Sequence, residues 1–297
     1  MKTRLNILPY LALGAVIVCL GFSAIFVRLA NAPGPVSSFY RLAFAAVILT
    51  PFAVYRLAKR QAMVSRRGLI FPLIGGTFSA IDFTFWSLAV NMTIAGNATL
   101  LGNAAPLWVA LFAWLVLRER LRGRFWLGLV LTLGGAVLVM GSDFFLHPVF
   151  GLGDILAISS SVFYAGYFLA TQRGREYLDP LTYVWLSACT TALGLLAVNL
   201  VMHYPLTGYP LQSWLVFLAS AIISQTLGYL AMSYALGHLP ASIVSPTMIG
   251  QPVLTTILAI PILGEVPAAW QIAGGILVLA GILLIHQAHN QQAGTSP

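Results

Sequence analysis

The stretch PLWVALFAWLVLRER, residues 106–120, returns in outline 146 positions later as PVLTTILAIPILGEV, residues 252–266. The residues that this spacing pairs without a gap are Pro106 with Pro252, Glu119 with Glu265, Gly128 with Gly274 and Gly135 with Gly281. Glycine is frequent in apolar membrane helices and matches easily by chance, so the proline and glutamate pairs are the stronger observation. The chain therefore contains an internal repeat.

The composition around this repeat is that of a membrane protein. Of 297 residues, 59% are hydrophobic and only 7% are charged, whereas about 25% are charged in soluble domains. Apolar stretches long enough to cross a hydrocarbon core about 30 Å thick follow one another along the whole chain. The 15 Lys and Arg outnumber the seven Asp and Glu, but they lie between these stretches and not on one folded face. We therefore expect the lipid bilayer, and no nucleic acid, as a partner.

Polar and proline-containing breaks divide the chain into ten predicted membrane-spanning helices, here called spans 1 to 10. The breaks lie at residues 31–35, 56–67, 91–94, 118–124, 143–152, 173–179, 203–212, 237–241 and 264–267. The basic residues of the loops occupy alternate loops: Lys2 and Arg4; Arg56, Lys59, Arg60, Arg66 and Arg67; Arg118, Arg120, Arg122 and Arg124; and Arg173 and Arg175. Because loops rich in Lys and Arg stay in the cytoplasm, both termini are predicted to be cytoplasmic.

The repeat divides these spans into two halves of five, with residues 1–142 as the N-terminal repeat and residues 143–297 as the C-terminal repeat. Because five is odd, the second half enters the bilayer upside down relative to the first. The predicted fold is an all-α integral membrane protein built from two inverted five-helix repeats. Inverted repeats are typical of secondary transporters, since one half-bundle can rock against the other around a fixed central site. The pattern thus favours alternating access.

The last two spans of each half also share a sequence pattern, which consists of a mid-span proline, the motif LxE and a glycine. The residues of this pattern are Pro106, Glu119 and Gly128 in the first half, and Pro252, Glu265 and Gly274 in the second. With ten helices in two five-helix repeats, the sequence resembles the EamA branch of the drug/metabolite transporter superfamily. Within that branch it is similar to bacterial exporters of aromatic and other neutral amino acids, the YddG type. The resemblance implies a multi-pass protein of the bacterial inner membrane that transports a small metabolite, mostly by export.

Span 3 carries a single carboxylate in an otherwise small, apolar and aromatic run. Asp82 lies near the predicted bilayer midplane, where an ionised group costs about 2.5 to 3.5 kcal/mol. Ser79, Asp82 and Trp86 are spaced i, i+3, i+7 and share one helix face. At the repeat spacing this face corresponds to Gln225, Gly228 and Met232 of span 8, and Tyr229 is one position beyond Gly228. We expect the two faces to meet across a central cavity that binds substrate.

Arg41 in span 2 is predicted at a depth similar to that of Asp82, which leaves two interpretations open. Asp82 either neutralises Arg41 in a structural ion pair, or it faces the cavity, as ionisable residues inside membranes usually do. Both hold if the pair opens during transport. Arg41 and Asp82 are therefore candidates for an ion pair or a gate.

Pro106 and Pro252 lie near the centres of spans 4 and 9. Each lacks the amide that would bond the carbonyl four residues earlier, at Gly102 and Met248 respectively. Broken backbone at membrane depth is tolerated where it faces protein or a water-filled cavity. Each proline is therefore either a packing kink or a helix break whose free carbonyl receives a substrate ammonium.

Polar side chains in spans 4, 6 and 9 complete the candidate site. Thr99 and Asn103 share a helix face with Pro106, and Gln251 shares one with Thr247 and Thr255. Their hydroxyl and amide groups either bind a ligand or join one helix to its neighbour. In span 6, Tyr164 is deep enough to add an apolar wall with a polar tip.

These residues match the needs of a zwitterionic amino acid. Asp82 or the freed carbonyls would receive the ammonium, Arg41 the carboxylate, and Trp86, Tyr164 and Tyr229 the side chain. The alternative is a proton-coupled exporter of drugs or other cations that uses Asp82. A channel or a receptor fits the inverted repeat less well. An enzyme is not expected, because the deep acid has no histidine or cysteine companion.

No cofactor is expected, since the two lysines, Lys2 and Lys59, lie outside the centres of the spans and exclude a retinal Schiff base. Spans 5 and 10 are rich in glycine, which lets backbones approach closely. We expect these faces to pack either inside the bundle or between two subunits. The sequence leaves a homodimer open.

Overall fold

A computed structural model of the chain describes residues 7–59, 65–93, 95–140, 151–263 and 267–293. Ten of its helical segments are long and apolar enough to cross a membrane, which confirms the predicted all-α fold of ten spans. The unbroken spans are span 1, Leu8–Leu29; span 2, Gly34–Ala58; span 3, Arg66–Met92; span 5, Gly123–Met140; span 6, Leu152–Gly174; span 7, Pro180–Val201; and span 10, Ala269–Ala293. The predicted boundary between the halves, at residues 142 and 143, and Glu265 of the repeated pattern lie outside the described residues.

Spans 4, 8 and 9 are each made of more than one helical segment. Span 4 consists of Ala95–Gly102 and Ala105–Leu115, and span 9 consists of Ala241–Thr247 and Gly250–Leu263. Span 8 consists of Leu211–Ser220, the π-helical segment Ala221–Gly228, and Tyr229–Leu236. The interruptions of spans 4 and 9, at residues 103–104 and 248–249, differ by about the repeat spacing. Each lies just before the proline at position 106 or 252, as a missing amide requires.

Local chemistry explains where several spans begin. The Ser65 side chain accepts a hydrogen bond from the Gly68 amide at 2.9 Å and caps span 3. Asp179 caps span 7 by accepting from the amides of Leu181 and Thr182, and Pro180 follows at the first helical position. Such caps satisfy amides that have no partner inside the helix. These caps set the entry points of spans 3 and 7, which pack against each other.

The packing between spans repeats when the two halves are exchanged. Span 1 packs against spans 8 and 9, and correspondingly span 6 packs against spans 3 and 4. Span 2 pairs with span 7, and span 5 with span 10. A two-fold axis that exchanges each span with the one five positions later in the order generates all of these pairs. The structure therefore has the pseudo-symmetry of two repeats.

Glycine contacts between spans 5 and 10 show that the two repeats run in opposite directions. A Cβ atom at Gly128 would lie 2.8 Å from the carbonyl oxygen of Gly281, and one at Gly135 would lie 2.6 Å from that of Gly274. The reciprocal distances, from Gly281 to Gly128 and from Gly274 to Gly135, are 2.6 and 2.7 Å. Gly128 thus faces Gly281, whereas Gly135, later in span 5, faces Gly274, which comes earlier in span 10. The two helices are therefore antiparallel, and these glycines pack inside the bundle.

This contact gives a prediction about stability. Gly135→Ala places a methyl group against the backbone of span 10 and should destabilise the bundle by about 1–3 kcal/mol, the usual cost of overpacking. Gly134→Ala is the matched control, because nothing lies within 4 Å of a Cβ atom at that neighbouring glycine. Thermal unfolding of the two purified variants in detergent should show a lower transition temperature for Gly135→Ala only. Equal transition temperatures would contradict the close approach of spans 5 and 10.

Candidate functional site

A cavity of about 510 Å³ lies between the two repeats. Its walls come from spans 1 to 5 of the first half and spans 6, 8 and 9 of the second. The lining residues are Leu20, Ser23 and Val27 of span 1; Arg41 of span 2; Asp82, Phe83, Trp86 and Val90 of span 3; Thr99, Gly102 and Asn103 of span 4; Val139 and Met140 of span 5; Ser160 and Tyr164 of span 6; Gln225 and Tyr229 of span 8; and Gln251, Pro252, Thr255 and Thr256 of span 9. A pocket of this size is suited to a small metabolite.

Asp82 lies at the wall of this cavity and is 9% exposed. The Ser160 hydroxyl donates a hydrogen bond to its Oδ1 atom at 2.5 Å, across the close packing of spans 3 and 6. Its Oδ2 atom has no hydrogen bond to the described residues. The carboxylate is therefore positioned by one serine and retains an oxygen with which to accept from a ligand.

Arg41 lies at the same cavity and is 6% exposed. Its Nη1 atom donates to the Ser23 hydroxyl at 3.1 Å, and its Cζ atom stands 4.4 Å from the centre of the Phe83 ring. A cation over an aromatic face is attracted by the ring quadrupole. Within the described residues no ion pair joins Arg41 to Asp82 at 4 Å or less. The direct pair considered from the sequence is thus not formed in this structure. Arg41 is hydrogen-bonded to Ser23 instead, and Asp82 to Ser160.

Aromatic side chains form much of the remaining wall. Trp86, Tyr164 and Tyr229 all line the cavity, as expected from the sequence. Tyr164 packs on Phe168 at 4.7 Å between ring centres, and Tyr167 lies 5.7 Å from Tyr229. Rings held against one another in this way form a rigid apolar surface with polar tips.

Spans 4 and 9 contribute polar groups beside their interruptions. Thr99, Asn103 and Gln251 line the cavity, as does Pro252. The Asn103 side chain donates to the Thr99 carbonyl at 2.8 Å, which satisfies backbone next to the interruption of span 4. These groups stand where the helices are broken, which fits the observation that irregular backbone at membrane depth lines cavities.

Two of the predicted site residues lie outside the lining. Ser79 is buried at 4% exposure. It shares the helix face of Trp86 but lies one turn before Asp82, where the lining of the cavity by span 3 begins. Pro106 begins the second segment of span 4 and is buried among its neighbours. In contrast, Ser23 and Phe83, which contact Arg41, were not predicted from the sequence as site residues, and neither was the hydrogen bond from Ser160 to Asp82. Serines that hydrogen-bond between spans give no signal until the neighbouring spans are known.

Among the described residues, the cavity extends toward one face of the bundle only. It reaches the ends of spans 1, 3 and 5 at Val27, Val90 and Met140. Toward the opposite face a buried apolar cluster fills the space between spans 1, 4, 6, 8 and 9, and its members include Leu13, Val16, Val109, Phe168, Leu236, Val244 and Met248. At the rim of that face the Ser242 hydroxyl donates to Glu119 at 2.8 Å, joining the start of span 9 to the end of span 4. The site is therefore closed toward one face of the bundle.

Comparison with known proteins places this geometry in a family. The model of the EamA-like transporter family matches the chain twice, over residues 7–141 and 151–287. The chain belongs to the EamA-like transporter family. The double match corresponds to the two five-helix repeats, and membership confirms that the protein is a multi-pass membrane transporter, with a small-molecule substrate, and not an enzyme. It also supports the predicted place in the drug/metabolite transporter superfamily.

Individual family relatives are distant but match most of the chain. An uncharacterized transporter of Clostridium kluyveri is 23% identical over 252 residues, which cover 83% of this chain and 81% of the relative. The pseudopaline exporter CntI of Pseudomonas aeruginosa is 28% identical over 234 residues, which cover 77% of this chain and 80% of the relative. A solved crystal structure with 18% sequence identity superimposes with a TM-score of 0.76 and covers 93% of this chain and 96% of its own. This last similarity supports the fold alone.

Proposed function

We propose that the protein exports neutral amino acids, aromatic ones included, and similar zwitterionic metabolites across the bacterial inner membrane. The observation that carries this proposal is that Asp82 and Arg41 line one cavity without being paired to each other. Two opposite charges kept apart at membrane depth are costly, and a zwitterion offsets both costs at once. Its ammonium binds Asp82, and its carboxylate binds Arg41.

The rest of the wall supports a neutral side chain on this zwitterion. Trp86, Tyr164 and Tyr229 offer apolar faces that contact hydrocarbon or aromatic groups. No second carboxylate lines the described cavity, so a basic side chain would have no partner of its own. The volume of about 510 Å³ is large enough for an aromatic amino acid.

A proton-coupled exporter of cations that uses Asp82 is the second candidate, and Arg41 disfavours it. A cation without a carboxylate would bring a positive charge next to the buried guanidinium and leave that group without a partner. Like charges brought together in this way cost several kcal/mol. The geometry therefore favours the zwitterion over the cation.

We propose that the transport cycle exchanges the roles of the two repeats. Because the repeats are inverted and pseudo-symmetric, each can take the conformation of the other. The cavity would then be closed at the opposite face by the spans that correspond to those of the apolar cluster. The basic loops favour a cytoplasmic location for both termini, which would make the closed face the cytoplasmic one and open the cavity to the periplasm. Export is also the activity named for the relative CntI.

Transport by the purified protein in proteoliposomes tests this function. Vesicles preloaded with unlabelled phenylalanine should accumulate labelled phenylalanine by counterflow, and other neutral amino acids should compete. Cationic dyes and basic amino acids should compete poorly. Accumulation of a cationic dye driven by a pH gradient, with no amino-acid counterflow, would support the cation exporter and contradict our proposal.

A further inference from the structure

Span 8 departs from the repeat symmetry at the point where it reaches the cavity. Its segment Ala221–Gly228 is π-helical, whereas the matching residues of span 3, 146 positions earlier, belong to the regular α-helix Arg66–Met92. π-helical turns are rare and occur frequently at functional sites. Gln225 lies in the middle of this segment and lines the cavity.

The side-chain amide of Gln225 has no hydrogen-bond partner in the described part of the chain. The residue is only 2% exposed, and neither its Oε1 nor its Nε2 atom makes a hydrogen bond with the described residues. Buried polar groups without partners cost free energy and are rare in native proteins. A group of this kind at the wall of a binding cavity indicates that a ligand supplies the missing bonds.

We infer that Gln225 determines specificity by pairing with a carboxamide on the side chain of the substrate. A glutamine amide presents one acceptor and two donors in a plane. Another carboxamide matches both functions, since its NH donates to Oε1 while its oxygen accepts from Nε2. The inference rests on the proposed function, because Asp82 and Arg41 hold the ammonium and carboxylate and direct the side chain elsewhere in the cavity.

Other side-chain chemistries satisfy Gln225 less well. A carboxylate accepts from Nε2 but leaves Oε1 without a donor, and it adds an uncompensated charge. An apolar side chain leaves both amide atoms unpaired. A site built around buried hydrogen-bonding groups discriminates strongly against an analogue that lacks the matching groups. Among neutral amino acids of equal size, the one with the amide should therefore be preferred.

Glutamine and methionine make a suitable substrate pair, because they are similar in length and differ in the amide. The wild-type protein should transport glutamine about tenfold or more in preference to methionine in counterflow competition against labelled phenylalanine, as two hydrogen bonds permit. Gln225→Leu should bring the ratio close to one, mainly through weaker binding of glutamine. The measured quantity is the ratio of the two inhibition constants.

Thr226→Val is the matched control for this variant. Thr226 lies on the same π-helical segment, and its buried hydroxyl also lacks a hydrogen-bond partner among the residues that the structure describes. It does not belong to the cavity lining. This control should keep the wild-type ratio. Equal competition by glutamine and methionine in the wild-type protein overturns the inference whether or not Gln225→Leu folds, and so does an unchanged ratio in the folded variant. If no amino acid in the assay is transported at all, the proposed function itself fails.

Discussion

Asp82→Asn should lower phenylalanine counterflow about 10- to 100-fold without altering the amount of folded protein. Asparagine has nearly the same size and its Oδ1 atom still accepts from the Ser160 hydroxyl, so the packing of spans 3 and 6 is kept. What is lost is the negative charge that binds the substrate ammonium, and hydrogen bonds to charged groups contribute about 1.5–3 kcal/mol. Initial rates of counterflow, normalised to reconstituted protein, measure the effect.

Asp154→Asn provides a control for neutralising a buried aspartate elsewhere in the chain. Asp154 is 2% exposed and accepts from Thr93 and from the Gly151 amide at the start of span 6, away from the cavity. Per folded molecule, its variant should transport within about twofold of wild type. Full transport by Asp82→Asn, or an equal loss in both variants, would contradict the role of Asp82 in binding.

Arg41→Met should change which ligands the cavity accepts. Methionine keeps an unbranched side chain against Phe83 but removes the charge that binds the substrate carboxylate. Phenylalanine counterflow should fall about 10- to 100-fold, by the same energetic argument as for Asp82. Phenethylamine, which lacks the carboxylate, should compete poorly with the wild-type protein and better with this variant. Competition curves for the amine in both proteins measure the change.

Arg56→Met is the control on the same span. Arg56 pairs with Asp179 at 2.7 Å near the end of span 2, and its side chain is 42% exposed. Exposed ion pairs contribute little to stability, and this one lies outside the cavity lining. Its variant should therefore retain the wild-type preference for phenylalanine over the amine. An unchanged ligand preference in Arg41→Met would show that the guanidinium does not select for the carboxylate.

Much of the fold follows from the sequence, because the lipid bilayer limits the length and the secondary structure that a membrane-spanning segment can have. The spacing between Pro106 and Pro252 predicted the repeat, and the apolar lengths predicted ten spans. The cost of an acid at membrane depth singled out Asp82, and helix periodicity placed Trp86 on the same wall. Periodicity also placed Ser79 on this face, but Ser79 lies one turn before Asp82, where the lining by span 3 begins, and periodicity alone does not show how far a cavity extends along a helix.

The arrangement around the two charges was not predictable in the same way. Similar depths for Arg41 and Asp82 left both a direct pair and a cavity-facing role open, because depth does not determine which spans are neighbours. Span 6 packs closely on span 3 and places Ser160 at Asp82, while Arg41 of span 2 reaches Ser23 of span 1. The π-helical form of Ala221–Gly228 was not predictable either, since the sequence placed Gln225 on an ordinary helix face at the repeat spacing.

The most direct test of the account compares three ligands that share one phenyl ring. Phenylalanine carries both charges, phenethylamine carries only the ammonium, and phenylpropanoate carries only the carboxylate. If Asp82 and Arg41 each bind one end of a zwitterion, phenylalanine should compete at least about tenfold better than either analogue, since each analogue leaves one buried charge unpaired. Competition by phenethylamine equal to that of phenylalanine would contradict zwitterion recognition and support a cation exporter.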